Sequence, residues 1–256
     1  NQDNESYAGK VEWNENDATD ENGIISGMYG PARMSIDEDG YVYICDNGRQ
    51  SKEKINTSGV WRMDPANPTN EFDCMLDVSE REKNGGYTRV NSIAVTGSGS
   101  ERSMYILDYS DNIVKYEIGD NTNVSNRVGL INTQKDGIIT ALNTLVRGKD
   151  GDFWVFQYRQ EANLDKPSVT HYNKNGERDF YINQTNNNSL TSESYPNRRG
   201  NGAVSPDGKY LAFNCNDGLF IYTVTYDANG VPSLSNRQTI TTHGTSQDVD
   251  AIAFDV

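Results

Sequence analysis

Pro31-Ala32-Arg33-Met34-Ser35-Ile36-Asp37, a turn at Glu38-Asp39-Gly40, and then Tyr41-Val42-Tyr43-Ile44-Cys45-Asp46 is the stretch that decides the fold. Apolar and polar residues alternate on both sides of the turn, which is the period of two expected of half-buried strands. Asp-Gly suits a two-residue hairpin, because glycine accepts positive φ without a steric penalty. The stretch therefore reads as two antiparallel strands.

The same unit returns along the chain. Val90-Asn91-Ser92-Ile93-Ala94-Val95 leads through a Gly/Ser turn to Met104-Tyr105-Ile106-Leu107-Asp108. Thr144-Leu145-Val146 turns at Asp150-Gly151 into Phe153-Trp154-Val155-Phe156, and Gly202-Ala203-Val204 turns at Asp207-Gly208 into Tyr210-Leu211-Ala212-Phe213. The three Asp-Gly turns lie 111 and 57 residues apart, close to two periods and one. Each copy continues into a third alternating strand, at 59–64, 112–117, 169–172 and 218–224, with more polar outer stretches such as 72–76 and 237–240. One row of each alternating strand is expected between blades and the other toward solvent, with polar residues protecting the edges.

Short strands repeating at this spacing are the signature of propeller blades. The expected fold is all-β, a β-propeller of four-stranded antiparallel blades forming one domain over 1–256. Four blades are expected at about 30–80, 88–134, 138–185 and 200–242. Residues 248–256 restart the repeat as a fifth blade, and 6–13 offer a strand to close the ring. Four blades and a fragment suggest a piece of a longer ring of six.

Composition narrows function. The net charge is −14, with 23 Lys and Arg against 37 Asp and Glu, and the only dense basic spot is Arg198-Arg199. Nucleic acid needs clustered positive charge, so it is excluded as a partner. No apolar run reaches the roughly 18 residues of a membrane-spanning helix. Cys45, Cys74 and Cys215 show no metal or redox spacing, and Cys45 and Cys215 read as small buried hydrophobes. Abundant Asn, Ser, Thr, Gly and Tyr, with sequons at Asn56, Asn123, Asn183 and Asn187, suit a secreted or cell-surface protein with wet loops.

Pro31 to Asp46 resembles the NHL repeat, except that Arg33 stands where that family favours Gly. Ser92-Ile93-Ala94-Val95 with Tyr105-Ile106-Leu107-Asp108 and Asn112-Ile113-Val114 repeats the likeness, while Ser205 to Leu211 is similar to the turn of TolB-like and WD-repeat propellers. The general character also resembles surface lipoproteins of Bacteroidetes linked to nutrient capture. The related SMP-30-like lactonases imply a divalent metal held by a Glu just before a Gly-Pro. Here that neighbourhood is Gly27-Met28-Tyr29-Gly30-Pro31, without the Glu, so the hydrolase reading stands second.

Other chemistry is sparse. His171, in Val169-Thr170-His171-Tyr172, reads as a satisfied strand residue, whereas His243 lies in a polar connection near the expected rim. The oxygen-rich run 14–23 invites calcium, but its ligand register fails, so no cofactor and no metal site is expected. No catalytic residue is assigned. The ligand-binding candidates are Tyr29, Arg33, Asn91, Asn143, Arg198, Arg199, Asn201, His243 and Asp250, around the starts of the inner strands, where a channel entrance would gather them. The expected role is a binding or accessory module for a protein, peptide or glycan ligand, within an outer-membrane complex. A purely structural envelope subunit is the third reading.

Overall fold

The structure, a computed structural model, describes residues 31–46, 59–64, 66, 73–77, 90, 92–107, 113–120, 127–131, 136, 144–157, 167–183, 202–215, 218–240 and 252–254. Sixteen strands among them form four sheets of four. The first comprises β1 (Pro31–Ile36), β2 (Val42–Asp46), β3 (Gly59–Met63) and β4 (Asp73–Asp77), and the second β5 (Ser92–Thr96), β6 (Ser103–Leu107), β7 (Ile113–Glu117) and β8 (Arg127–Ile131). The third holds β9 (Thr144–Arg147), β10 (Phe153–Phe156), β11 (Val169–Tyr172) and β12 (Arg178–Ile182), and the fourth β13 (Gly202–Val204), β14 (Tyr210–Cys215), β15 (Gly218–Tyr226) and β16 (Pro232–Ile240). Each sheet is an antiparallel meander in chain order. The only helical turn among the described residues is a 3-10 turn at Gly99–Glu101. Of the expected strand at 249–256, residues 252–254 are described and are irregular, with Phe254 stacked on Tyr210.

The chain divides into two compact units. One carries the first two sheets apart from a few residues of β7 and β8, and the other carries the last two. In the first, Tyr43, Cys45, Val60, Met75, Ile93, Val95, Met104, Ile106, Val114 and Tyr116 share one core. In the second, Trp154, Phe156, Val169, Leu211, Phe213, Phe220 and Tyr222 do the same. Inner strands lie side by side within each unit: the backbone N–H of Val95 donates to Ser35 Oγ at 2.9 Å. A Cβ placed on Gly202 would lie 2.3 Å from the Phe156 ring, so β13 approaches β10 through a position only glycine fits.

Burial departs from the expected alternation in an instructive way. β15 alternates over most of its length, but β5, β10 and β11 are buried at every residue. A strand covered on both faces has no solvent row to alternate with. The outer strand β16 is exposed from Ser233 to Ile240 apart from half-buried Leu234, as an outermost strand should be. Cys45 is a free, fully buried thiol whose pKa burial pushes up to about 12, so it packs as an inert hydrophobe. The side chain of Cys215 lies outside the described residues. Asn183 is buried just after β12 rather than standing on a surface loop, so its sequon offers no room for a glycan.

The turns are more varied than the sequence suggests. At Asp150-Gly151 both residues have positive φ and Asp152 N–H donates to the Lys149 carbonyl, but Gly148 N–H also donates to the Asp152 carbonyl, so the loop is three residues long rather than the two expected. At Asp39-Gly40 the loop is also three residues long but is closed differently. Asp37 N–H donates to the Tyr41 carbonyl, Gly40 N–H donates to the Asp37 carbonyl, and Gly40 takes the left-handed position. Asp37 Oδ1 then accepts the backbone N–H groups of both Asp39 and Tyr41. This side-chain support fixes a loop that the ladder alone leaves with unpaired donors.

That turn is held in place by Arg102, whose side chain is 1% exposed. Its Nε lies 2.6 Å from Asp37 Oδ2, its Nη2 lies 2.5 Å from Asp39 Oδ2, and its Nη1 donates to the Gly119 carbonyl at 2.6 Å. Asp120 adds a third carboxylate at 3.3 Å. Tyr41 fills the space between the guanidinium groups of Arg62 and Arg102, 4.9 and 5.1 Å from its ring centre. Arg102 thereby joins the β1–β2 turn, the start of β6 and the end of β7.

Removing a buried cation leaves Asp37, itself wholly buried, without its partner. Arg102→Leu is therefore expected to lower stability by about 3–5 kcal/mol in urea unfolding. Asp120→Asn, whose side chain is 78% exposed, should change it little. Gly202→Ala should cost about 1–3 kcal/mol by overpacking against Phe156, read in the same assay.

Candidate functional site

Of the residues expected at a channel entrance, Arg33 is described. It is half-buried in β1, in register with Cys45 of β2. Tyr29, Asn91, Asn143, Arg198, Arg199, Asn201, His243 and Asp250 lie outside the described residues, as do the oxygen-rich run 14–23 and the ring-closing stretch 6–13.

The described residues show a pocket of about 580 Å³ in the second unit, at the end of β9 that leads into β10. Three hairpin turns build its walls. Lys149, Asp150 and Asp152 come from β9–β10, Asn173, Lys174 and Asn175 from β11–β12, and Asp227, Ala228, Asn229 and Gly230 from β15–β16. His171 and Tyr226 also line it.

Two of these turns repeat the device seen at Asp37. Asn173 Oδ1 accepts the N–H groups of Asn175 and Glu177, and Asp227 Oδ1 accepts those of Asn229 and Val231. Gly176 and Gly230 take the left-handed position in the same place as Gly40. The sequence signal is Asp or Asn, any residue, Asp or Asn, then Gly. It occurs at Asp20-Glu21-Asn22-Gly23, which lies outside the described residues, and at Asp37-Glu38-Asp39-Gly40, Asn173-Lys174-Asn175-Gly176 and Asp227-Ala228-Asn229-Gly230. A search for Asp-Gly alone passes over the last two, and with them two of the pocket's three walls.

Beneath the pocket His171 is fixed between two carboxylates. Its Nε2 is 2.8 Å from Asp152 Oδ2, and its Nδ1 is 2.6 Å from Asp179 Oδ1. Local structure explains both contacts. Asp152 and Trp154 are two residues apart on one strand direction, so they share a face, and Trp154 pairs directly with His171. On the other side, His171 pairs with Phe180 and Tyr172 with Arg178, leaving Asp179 as the extra residue of a β-bulge. The bulge turns Asp179 toward the ring. Trp154 packs on the imidazole at 4.6 Å and Tyr226 meets it at 6.1 Å, while Lys149 Nζ sits 5.9 Å from the centre of the Tyr226 ring. The Trp154 indole N–H is near the Tyr226 hydroxyl without a hydrogen bond of good geometry.

Burial alone would lower the pKa of His171, but hydrogen bonds and charge from Asp152 and then Asp179 outweigh it and leave the value raised. Burial also raises Asp152, against the pull of the imidazole. The expectation of a satisfied strand histidine fits this geometry, and a ring committed at both nitrogens is poorly placed to serve as a general base. Its two carboxylates sit at opposite edges of the ring and do not converge on a common point. Among the described residues no group of three or more His, Cys, Asp and Glu side chains is arranged to hold a metal.

No family model matches the chain, and no curated protein matches it. Solved structures do. A periplasmic gluconolactonase of Pseudomonas aeruginosa aligns with a TM-score of 0.51 at 11% identity, over 87% of this chain and 61% of that one. The Dos1 propeller aligns at 0.49 and 9% identity, over 91% and 54%. A Lactobacillus plantarum protein aligns at 0.48 and 13% identity, over 87% and 59%. The chain thus spans between half and two-thirds of the length of these structures. The gluconolactonase likeness, together with four antiparallel four-stranded sheets, shows the fold to be that of a β-propeller.

The raised pKa of His171 carries a sign for stability. The folded chain binds the proton more tightly than an exposed imidazole of pKa about 6.5 does. The stabilisation is complete below about pH 6.5 and is lost as pH rises through the folded value. Urea midpoints are expected to fall as pH rises above that point, and His171→Gln should flatten this limb of the profile.

Proposed function

We propose that this propeller is a secreted or cell-surface binding module, an accessory in nutrient capture, and that the pocket at its hairpin turns takes a hydroxyl-rich ligand such as a glycan segment. The composition of the pocket wall carries this reading. Tyr226 and Ala228 are its only largely apolar members, whereas Asp150, Asp227, Lys149, Lys174, Asn175 and Asn229 supply donors and acceptors of both signs. A ligand that depends on hydrophobic anchors would bury little apolar surface here. Sugar hydroxyls, each able to donate and accept, suit such a wall. The turns are fixed in advance by Asn173 and Asp227, which reduces the ordering cost of binding.

Support for a secreted or surface setting comes from the acidic, Asn-, Ser-, Thr- and Tyr-rich sequence. A metal-dependent hydrolase of the SMP-30-like kind is the second reading, favoured by the likeness to a gluconolactonase. Metal analysis of the purified full chain separates the two, since the hydrolase requires a stoichiometric divalent ion.

A glycan array on the full chain is expected to return bound oligosaccharides. Tyr226→Ala should then weaken the best of them by about tenfold or more, as removal of a central aromatic contact does. Loss of binding in Arg33→Ala with Tyr226→Ala unaffected would move the site to the channel entrance.

A further inference from the structure

A neutral imidazole has one N–H to donate and one lone pair to accept with. Both ring nitrogens of His171 face carboxylate oxygens, at 2.6 and 2.8 Å. Beside two ionised carboxylates a neutral ring can make only one of these contacts as a hydrogen bond, and the other would set a lone pair against a lone pair. The imidazolium makes both.

The charged and titratable groups around the ring come from three elements. Asp152 approaches from the β9–β10 turn, with Lys149 and Asp150 beyond it on the same turn. Asp179 approaches from β12, and Tyr226 from the end of β15, followed by Asp227 at the pocket wall. Lys149 Nζ is placed over the Tyr226 ring and 3.6 Å from Asp150. The two carboxylates differ in their alternatives. Asp179 makes the shorter contact and is 16% exposed, so water can share it. Asp152 is 10% exposed, and the Lys149 backbone lies close enough to hold its pKa down against the effect of burial. Loss of the proton leaves one N–H for two carboxylates, so the contact to one of them is broken and the tie between the β9–β10 turn and β12 is lost.

We propose that His171 is a proton-held latch for the pocket: as the imidazolium it holds Asp152 and Asp179 together, and its deprotonation breaks one of the two contacts and loosens the β9–β10 turn, which forms one wall, from β12. The inference rests on the pocket as the binding site and gives that site a regulation, with the closed wall at lower pH and a more open wall at higher pH. Gly148 opens the loosened turn and Gly151 lies within it. A Cβ at Gly148 would fall within the Asp152 carboxylate, so the turn is closely fitted around this side chain. Asp152 lines the pocket, so a change in its contact with His171 reaches the wall directly.

The test needs no ligand. In the ¹⁵N-labelled full chain, two-bond correlations of the imidazole nitrogens report the protonation of each ring, and His171→Gln assigns the signals. The latch predicts that both nitrogens of His171 carry protons at a pH well above the ordinary imidazole value of about 6.5. It also predicts that the amide signals of Lys149, Asp150 and Asp152 shift with the same midpoint. In Asp179→Asn, which keeps an oxygen acceptor but removes the charge, that midpoint should fall. A His171 that titrates at the ordinary value, a single neutral tautomer at pH 6, or turn amides that ignore the titration would each overturn the latch. Absence of glycan binding would overturn the proposed function alone, because the titration is read on the free protein.

Discussion

A charge taken out of water must be met by an opposite charge with good geometry, and each compact unit of this chain meets that demand at its hairpin turns. In the first, Arg102 lies among Asp37, Asp39 and Asp120. In the second, His171 lies between Asp152 and Asp179. Much of the rest depends on these two arrangements. They tie the ends of neighbouring strands together, and they pin turns whose backbone donors the ladders leave over. Such pairs are costly to break, and their main gift is a defined position for the groups they join. Arg102 is permanently charged and so holds its turns at every pH of interest, whereas His171 holds its own only while protonated.

The turns themselves follow one rule with local variations. A side-chain oxygen of Asp or Asn accepts two backbone N–H groups, and a glycine three residues on supplies the left-handed residue. Asp37, Asn173 and Asp227 use it in full. Asp150-Gly151 instead uses positive φ at both central residues. The difference matters for the pocket, because the two rigid walls come from the first kind and the wall that the latch controls comes from the second.

Strand periodicity, turn residues and repeat spacing made the fold readable from the sequence, since a period of two and a glycine at positive φ are local properties. The third strands at 59–64, 112–117, 169–172 and 218–224 fall where β3, β7, β11 and β15 lie for the same reason. The site was less readable. His171 could be seen as a strand residue, but Asp179 reaches it only through a bulge, and Asp152 only through the pairing of Trp154 with His171. Neither relation leaves a trace in spacing. Arg102 was missed because its partners lie 63 residues or more before it and 18 after it. Tyr226 was missed because the fourth sheet extends past the expected end of its third strand at Val224.

Propellers offer two ends to a ligand, the starts of the inner strands and the hairpin turns at the other end. Arg33 represents the first, and Tyr226 with its three surrounding turns represents the second. Among the described residues a pocket is built at the turns. A crystal structure of the full chain bound to its best oligosaccharide is the most direct test. The account predicts sugar density between Lys149, Asn175, Tyr226 and Asn229. Sugar density beside Arg33, with the turn pocket holding solvent alone, would contradict it.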